Sequence, residues 1–181
     1  MKNLVTAVRT LLTLTLLTGV LYPLIVLLLG QALFRDGAGG SLLQKDGRTV
    51  GSRLIAQGFA SPKYFWPRPS AVKYDAASSG ASNLGVTSAD WVAQARQREQ
   101  AGAVVEMRFA SGSGLDPEIS LTAARSQIAR VAAARNLSEA ETSQLRTMVQ
   151  AQVRPRQFGI LGEPRINVLT LNLALDSWQR R

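Results

Sequence analysis

Thr10-Leu-Leu-Thr-Leu-Thr-Leu-Leu-Thr-Gly-Val-Leu-Tyr-Pro-Leu-Ile-Val-Leu-Leu-Leu-Gly-Gln-Ala-Leu-Phe34 runs for 25 residues between Arg9 and Arg35 without one charged side chain. As a helix rising about 1.5 Å per residue it is about 37 Å long, enough to cross a hydrocarbon core of about 30 Å with some tilt. Pro23 would break a soluble helix, but a membrane span tolerates it where neighbouring groups re-satisfy the freed carbonyl. Thr13, Thr15 and Thr18 are placed to bond back to backbone carbonyls, and Gly19 lets another helix approach closely. Gly19 and Pro23 are therefore the expected packing positions of the anchor. A cleaved signal peptide has an apolar region of about 7–15 residues before a small-x-small site. This run is too long for that, and Gly30-Gln31-Ala32 is only a passable site.

The flanks set the orientation. Lys2, Arg9 and the amino terminus precede the span, and Arg35 beside Asp36 follows it. The positive-inside rule then gives a cytoplasmic segment 1–9, a transmembrane helix 10–34 and a domain 35–181 on the far side, read as periplasmic, with the membrane crossed once. No later segment is long and apolar enough to cross again.

About 145 residues after the anchor suffice for one domain with its own core. Cys and His are both absent. That excludes disulfide staples, thiolate or imidazole metal sites, Ser-His-Asp and Cys-His catalysis and an imidazole proton shuttle. The formal net charge is +9, of which about +7 falls beyond the anchor. Nucleic acid, anionic head groups and an acidic partner compete as readings of that charge, beside the plainer one of an Arg-rich solvated surface. Nucleic acid is set aside, since the domain reads as lying outside the cell and no basic run interleaved with aromatics occurs.

Residues 36–41 read as a flexible linker. Asp46-Gly47 between Leu42-Leu43 and Val50–Ile55 reads as a hairpin turn between two strands. Ser61–Ser70 holds Pro62, Pro67 and Pro69, which forbid a helix or a central strand. Tyr74 to Ser88 reads as a long loop, a feature that tends to be functional in compact domains. A first helix is expected from a Thr87-x-x-Asp90 cap to about Arg108, and a second from Ser120 to a C-cap at Asn136. A third follows the capping box Ser138-Glu-Ala-Glu141 and stops before Pro155. Val168 to Leu175 alternates through Leu169, Leu171, Leu173 and Leu175 and reads as a half-buried strand. The expected fold is α+β: one N-terminal membrane helix, then a periplasmic domain whose small sheet, made of the hairpin and the late strand, packs against about three helices.

Ser70-Ala-Val-Lys73 matches the S-x-x-K nucleophile motif of penicillin-binding enzymes, but no Lys-Thr-Gly or Ser-Asp-Asn accompanies it. Ser111-Gly-Ser-Gly-Leu-Asp-Pro117 is Gly-rich without the Gly-Lys-Ser/Thr of a phosphate loop. Its amides could form an anion nest, or it is a turn in which Gly supplies positive φ. The carboxylates are scattered and outline no metal cluster. Asp116 with Glu118 reads as helix N-terminal charge. Tyr64, Phe65, Trp66 and Arg68 look like packing or interface anchors.

Taken in order, Gly51–Phe59, Tyr64–Ser70, Ser79–Gly85, Ser111–Ser120 and Leu161–Asp176 resemble the C subunit of the bacterial Kdp potassium-transporting ATPase. Ala81, where the family usually has Gly, and Glu118, where it often has His, depart from the pattern. The resemblance implies an accessory, assembly-stabilising subunit that is not itself an enzyme. Its partners would be a channel-like potassium-binding subunit, a P-type ATPase subunit and a small stabilising membrane subunit. Members have been described as catalytic chaperones that raise the ATP affinity of the ATPase subunit. A nucleotide-related role would then fall on Ser111, Gly112, Ser113, Gly114 and Asp116, with ATP the implied ligand. A periplasmic domain does not meet cytoplasmic ATP, so the residues favour scaffolding or gating of access over concentrating the ion, and ATP stays a ligand by resemblance only. Gln57, Tyr64, Phe65, Arg68, Ser79, Ser82 and Asn83 are the expected partner contacts. The readings of a different class are a membrane-anchored Ser70–Lys73 enzyme and a binding module for an anionic ligand.

Overall fold

The computed structural model describes residues 1–178, which divide into two compact units, Met1–Val50 and the segment from Gly51 onward. In the first unit a continuous helical stretch, Lys2–Leu33, is long and apolar enough to cross a membrane and buries none of its side chains within the chain. It consists of α1 (Lys2–Leu16), a π-helical turn (Leu17–Leu21) and α2 (Tyr22–Leu33). The wide turn has a local cause. Pro23 has no N–H and its ring would strike the carbonyl four residues back. In the turn before it the Tyr22 N–H reaches the Leu17 carbonyl, five residues back. Thr18 Oγ1 donates to the Leu14 carbonyl at 2.7 Å, the back-bond expected of it. A short α3 (Arg35–Ala38) stands where a flexible linker is expected from the sequence.

The hairpin β1 (Leu42–Lys45) and β2 (Arg48–Ser52) turns at Asp46 and Gly47, whose φ values of 53° and 76° are both in the left-handed region that such a turn demands. β2 stops at Ser52, short of the expected Ile55.

Beyond Gly51 the chain runs without helix or strand from Arg53 to Ser88 and then enters α4 (Ala89–Gln100). Ser88, one residue after the expected cap, accepts the Trp91 N–H. The expected helix to Arg108 is two pieces, α4 and α5 (Val105–Arg108), broken at Gly102 with φ 82°. Trp91 of α4 stacks on Phe109 at 4.5 Å between ring centroids. β3 (Glu118–Ser120) leads directly into α6 (Leu121–Ala134), capped by the Ser120 hydroxyl at the Ala123 N–H. α6 buries Ala124, Ile128 and Val131 on one face. Asn136, with φ 54°, follows its end in the expected left-handed conformation. α7 (Glu139–Ala151) opens on the reciprocal Ser138–Glu141 capping box.

The tail is where expectation and structure part. β4 takes only Arg165–Asn167 and pairs antiparallel with β3, placing Ile119 opposite Ile166; α8 then runs from Val168 to Trp178. The period-two leucines belong to a helix in which Val168, Leu171, Asn172 and Leu175 form a buried i, i+3, i+4, i+7 stripe, with Leu169 buried beside it. Asn167 Oδ1 accepts the Thr170 N–H at 3.0 Å and so acts as the N-terminal cap. The polar Asn172 interrupts the apolar helical pattern and leaves the alternating leucines conspicuous. Among the described residues there are consequently two separate two-stranded sheets, β1–β2 and β3–β4, rather than one sheet shared by hairpin and tail. The core of the second unit joins Phe65, Ile119, Ile128, Val131, Leu145, Val149, Ile166, Leu171 and Leu175, all at most 2% exposed.

Candidate functional site: a braced loop cluster

Residues Pro62–Trp66 of the irregular stretch are fixed by side chains from α6, its C-cap Arg135 and α8. Asn172 of α8 accepts the Phe65 N–H at 2.9 Å and donates to the Phe65 carbonyl at 3.0 Å. Gln127 of α6 treats the next residue alike, accepting the Trp66 N–H at 2.8 Å and donating to the Trp66 carbonyl at 3.1 Å. A primary amide carries an acceptor and donors side by side, so each makes the pair of bonds a neighbouring strand would supply. Arg130 stacks 3.6 Å over the Trp66 ring and reaches the carbonyls of Pro62 and Tyr64. Arg135 bonds the Lys63 carbonyl at 2.7 Å and pairs with Asp176 at 3.0 Å.

These bonds decide what the expected contact residues do. Phe65, expected on a partner surface, is wholly buried and anchors the core instead. Tyr64 is half-buried, with its hydroxyl 3.3 Å from Asp176 and its ring facing Phe59 at 5.5 Å. Gln57 lies over Gly51, where an added Cβ would collide with the Gln57 amide. Arg68 pairs with Asp116 at 3.4 Å and reaches the Ala110 carbonyl. Ser79 donates to the Ser113 carbonyl at 3.1 Å, and the Gly80 N–H meets the same oxygen at 2.8 Å. Ser82 and Asn83 remain exposed. The structure thus brings Arg68, Ser79 and Ser111–Asp116 together and leaves Ser82 and Asn83 at the surface.

Within Ser111–Asp116 the groups are engaged locally. The Ser111 N–H donates to the Pro69 carbonyl at 3.0 Å, and the Gly114 N–H to the Ser111 carbonyl at 3.2 Å. The Leu115 N–H donates to Ser113 Oγ at 3.1 Å. Gly112 and Ser113 are exposed, whereas Gly114 is buried with φ 68°; a Cβ there would lie 2.6 Å from Val72 Cγ2 and 2.7 Å from the Gly80 carbonyl oxygen. Only glycine fits that conformation and that close approach. Asp116 Oδ1 accepts the Glu118 N–H at 3.1 Å. Glu118 pairs with Arg165 at 2.8 Å, across β3–β4. The two acids are therefore partners of two arginines, not helix N-terminal charge, and the segment leads into a strand.

Ser70 Oγ accepts the N–H groups of Val72 at 3.2 Å and Tyr74 at 2.9 Å, shaping the turn in which Lys73 is exposed with φ 55°. No Ser70–Lys73 bond forms among the described residues, so the geometry gives the serine no base. No group of three or more metal-ligating side chains occurs among the described residues.

A further surface lies in the turn after α7. Phe158, Ile160 and Leu161 are 91%, 75% and 55% exposed, yet Gln157 and Leu161 exchange backbone bonds of 2.9 Å in both directions. Arg154 bridges Arg165 and Arg156 pairs with Glu163 at 2.7 Å, so the apolar tip sits on a fastened base. The available signal was Phe158, Ile160 and Leu161 set beside Gly159 and Gly162 with no period to bury them.

These features define a class of protein: one candidate membrane-spanning helix followed by a loop-rich α+β domain braced inward, with no Ser70–Lys73 bond among the described residues. The family model described as KdpC: K+-transporting ATPase, c chain, matches residues 4–177. Potassium-transporting ATPase KdpC subunits are similar over nearly the whole length. That of Burkholderia ambifaria is 50% identical over 179 residues, 92% of this chain and 91% of the relative. That of Methylococcus capsulatus is 49% identical over 184 residues, covering 94% and 95%, and that of Cereibacter sphaeroides 46% over 184 residues, 98% of each. The chain therefore belongs to the KdpC family and is an accessory subunit of a potassium-transporting ATPase.

Proposed function

We propose that this chain is a non-catalytic scaffold of an ATP-driven potassium pump, crossing the inner membrane once with its amino terminus in the cytoplasm and residues 35–181 in the periplasm. Its partners are a channel-like potassium-binding subunit, a P-type ATPase subunit and a small stabilising membrane subunit. The observation that carries the reading is the family match over residues 4–177. The apolar stretch Lys2–Leu33 supports the anchor, and the charges of Lys2 and Arg9 before it support the orientation. Gly19 and Pro23 pack the anchor against the channel-like subunit. In the outer domain, Ser82 and Asn83 and the apolar tip at Phe158 are the partner contacts, because an exposed rigid apolar patch marks an interaction surface.

The loop Ser111–Asp116 serves in this reading as a brace between Arg68 and Ser79. Its Ser111, Gly114 and Leu115 amides are spent within the domain, which supports a structural role over ATP binding.

The deciding experiment is purification through a tag on this chain in mild detergent. The expected result is copurification of a P-type ATPase and a channel-like protein, with potassium-stimulated ATP hydrolysis that falls when the chain is omitted. A lone monodisperse protein would overturn the reading. Topology is testable separately, since the chain has no native Cys. A cysteine at Ser82 should react with an impermeant maleimide in intact spheroplasts, and one at Lys2 should not.

A further inference from the structure

A cavity of about 550 Å³ opens between the loop Phe59–Tyr74, the end of α4, α5 and α6. Its size is within the range of pockets that hold small organic ligands. Phe59, Pro67, Pro69 and Met107 contribute apolar wall, and among the described residues the only charged ones that line it are Arg98 and Arg130. No carboxylate lines it among the described residues. Elsewhere in the domain Arg68, Arg108, Arg135, Arg156 and Arg165 each face an acid. The two cavity arginines instead meet neutral oxygens. Arg98 donates to the Arg108 carbonyl at 2.6 Å and to Gln94 Oε1 at 3.2 Å. Arg130 donates to the carbonyls of Pro62 and Tyr64 and to Gln127 Oε1. A guanidinium carries five N–H donors, so each retains some for a ligand. Burial lowers the Arg130 pKa and raises that of Tyr74, on which Arg98 acts in the opposite direction.

We propose that this cavity binds a small organic acid, a carboxylate carried on an apolar alkyl or aryl body. The two parts of the lining require both parts of the ligand. A bare inorganic anion would satisfy the guanidinium groups and leave the apolar walls wet. A neutral hydrocarbon would cover the walls and strip water from cationic donors without replacing its hydrogen bonds, which is costly. An acid with an apolar body does neither, and a carboxylate matches the planar fork of arginine. The inference stands on the cavity alone and is independent of the pump assignment.

The test is calorimetric titration of sodium 4-phenylbutyrate into the full-length chain in phosphatidylcholine nanodiscs, with empty nanodiscs subtracted. One saturable site is expected, with 4-phenyl-1-butanol weaker by about tenfold or more, the scale of a lost charge-assisted contact. Sodium phosphate should not displace the acid. Arg98→Gln should weaken binding about tenfold or more. Ala101→Trp, at an exposed position on the rim, should abolish it. If Arg98→Gln fails to fold, Ala101→Trp decides. The proposal is overturned by absence of saturation, by equal binding of the alcohol, by displacement with phosphate, or by an unaffected Ala101→Trp chain.

Discussion

The helix Lys2–Leu33 is almost continuously apolar and buries nothing inside the chain, whereas Phe65, in an irregular stretch with three prolines nearby, is completely buried. The contrast separates two uses of apolar side chains. A helix pairs its own backbone groups along its length, so it can present leucines all round to an apolar surrounding. An irregular stretch has no such internal pairing. It enters a core only if other parts of the chain supply the missing hydrogen bonds, as Asn172 and Gln127 do for Phe65 and Trp66.

Variants on either side of this contrast can break it. Phe65→Ala should cost about 4 kcal/mol of folding stability, from lost burial and the cavity left behind, measured by urea unfolding. A helix-side double change, Leu24→Arg with Leu27→Arg, should add about 3 kcal/mol of insertion cost at each position. It should make the chain extractable by alkaline carbonate, while the urea midpoint of the rest stays unchanged. Asn172→Ala removes less bulk yet leaves the Phe65 N–H and carbonyl buried without partners, so a loss of about 2–3 kcal/mol is expected. A loss under about 0.5 kcal/mol, the range of ordinary surface changes, would mean the loop is held by packing alone.

Phe158→Ser sharpens the comparison further, because this residue is apolar, irregular and exposed. Folding stability should move by less than about 0.5 kcal/mol, while recovery of partner subunits in copurification drops. Equal recovery would remove the apolar tip at Phe158 from the partner surface. The smallest effect is expected at Glu141, whose pKa is lowered by the Ser138 side chain and backbone, with slight opposition from burial. Its folded pKa lies below the unfolded one, so the stabilisation is complete above the unfolded value and is lost as pH falls through the folded one. Hydrogen exchange at the start of α7 should speed up in that acid window, and Glu141→Gln should remove the pH dependence.

Local chemistry made several elements legible. The uncharged run announced one long apolar helix, because its length and composition suffice for that reading. Ser120 and the Ser138–Glu141 box announced α6 and α7 because a cap acts within one turn. Asp46-Gly47 announced a hairpin because the turn needs positive φ. In the loop cluster, Tyr64 and Arg68 were legible as anchors. That they face inward was not, because Asp176 and Asp116 come from remote segments.

What the sequence by itself determined is therefore each feature whose cause lies within a few residues: the apolar span, the caps, the hairpin turn and the exclusion of Cys and His chemistry. Only the tertiary structure decided that Val168–Leu175 is a helix, that Phe65 is core and that two arginines share an acid-free cavity. Alternating leucines allow a strand, but Asn172 sits at a core position because the Phe65 backbone, 107 residues away in the chain, needs its amide. A helix carries that amide inward beside Val168, Leu171 and Leu175, so long-range hydrogen bonding and packing overrode the local pattern.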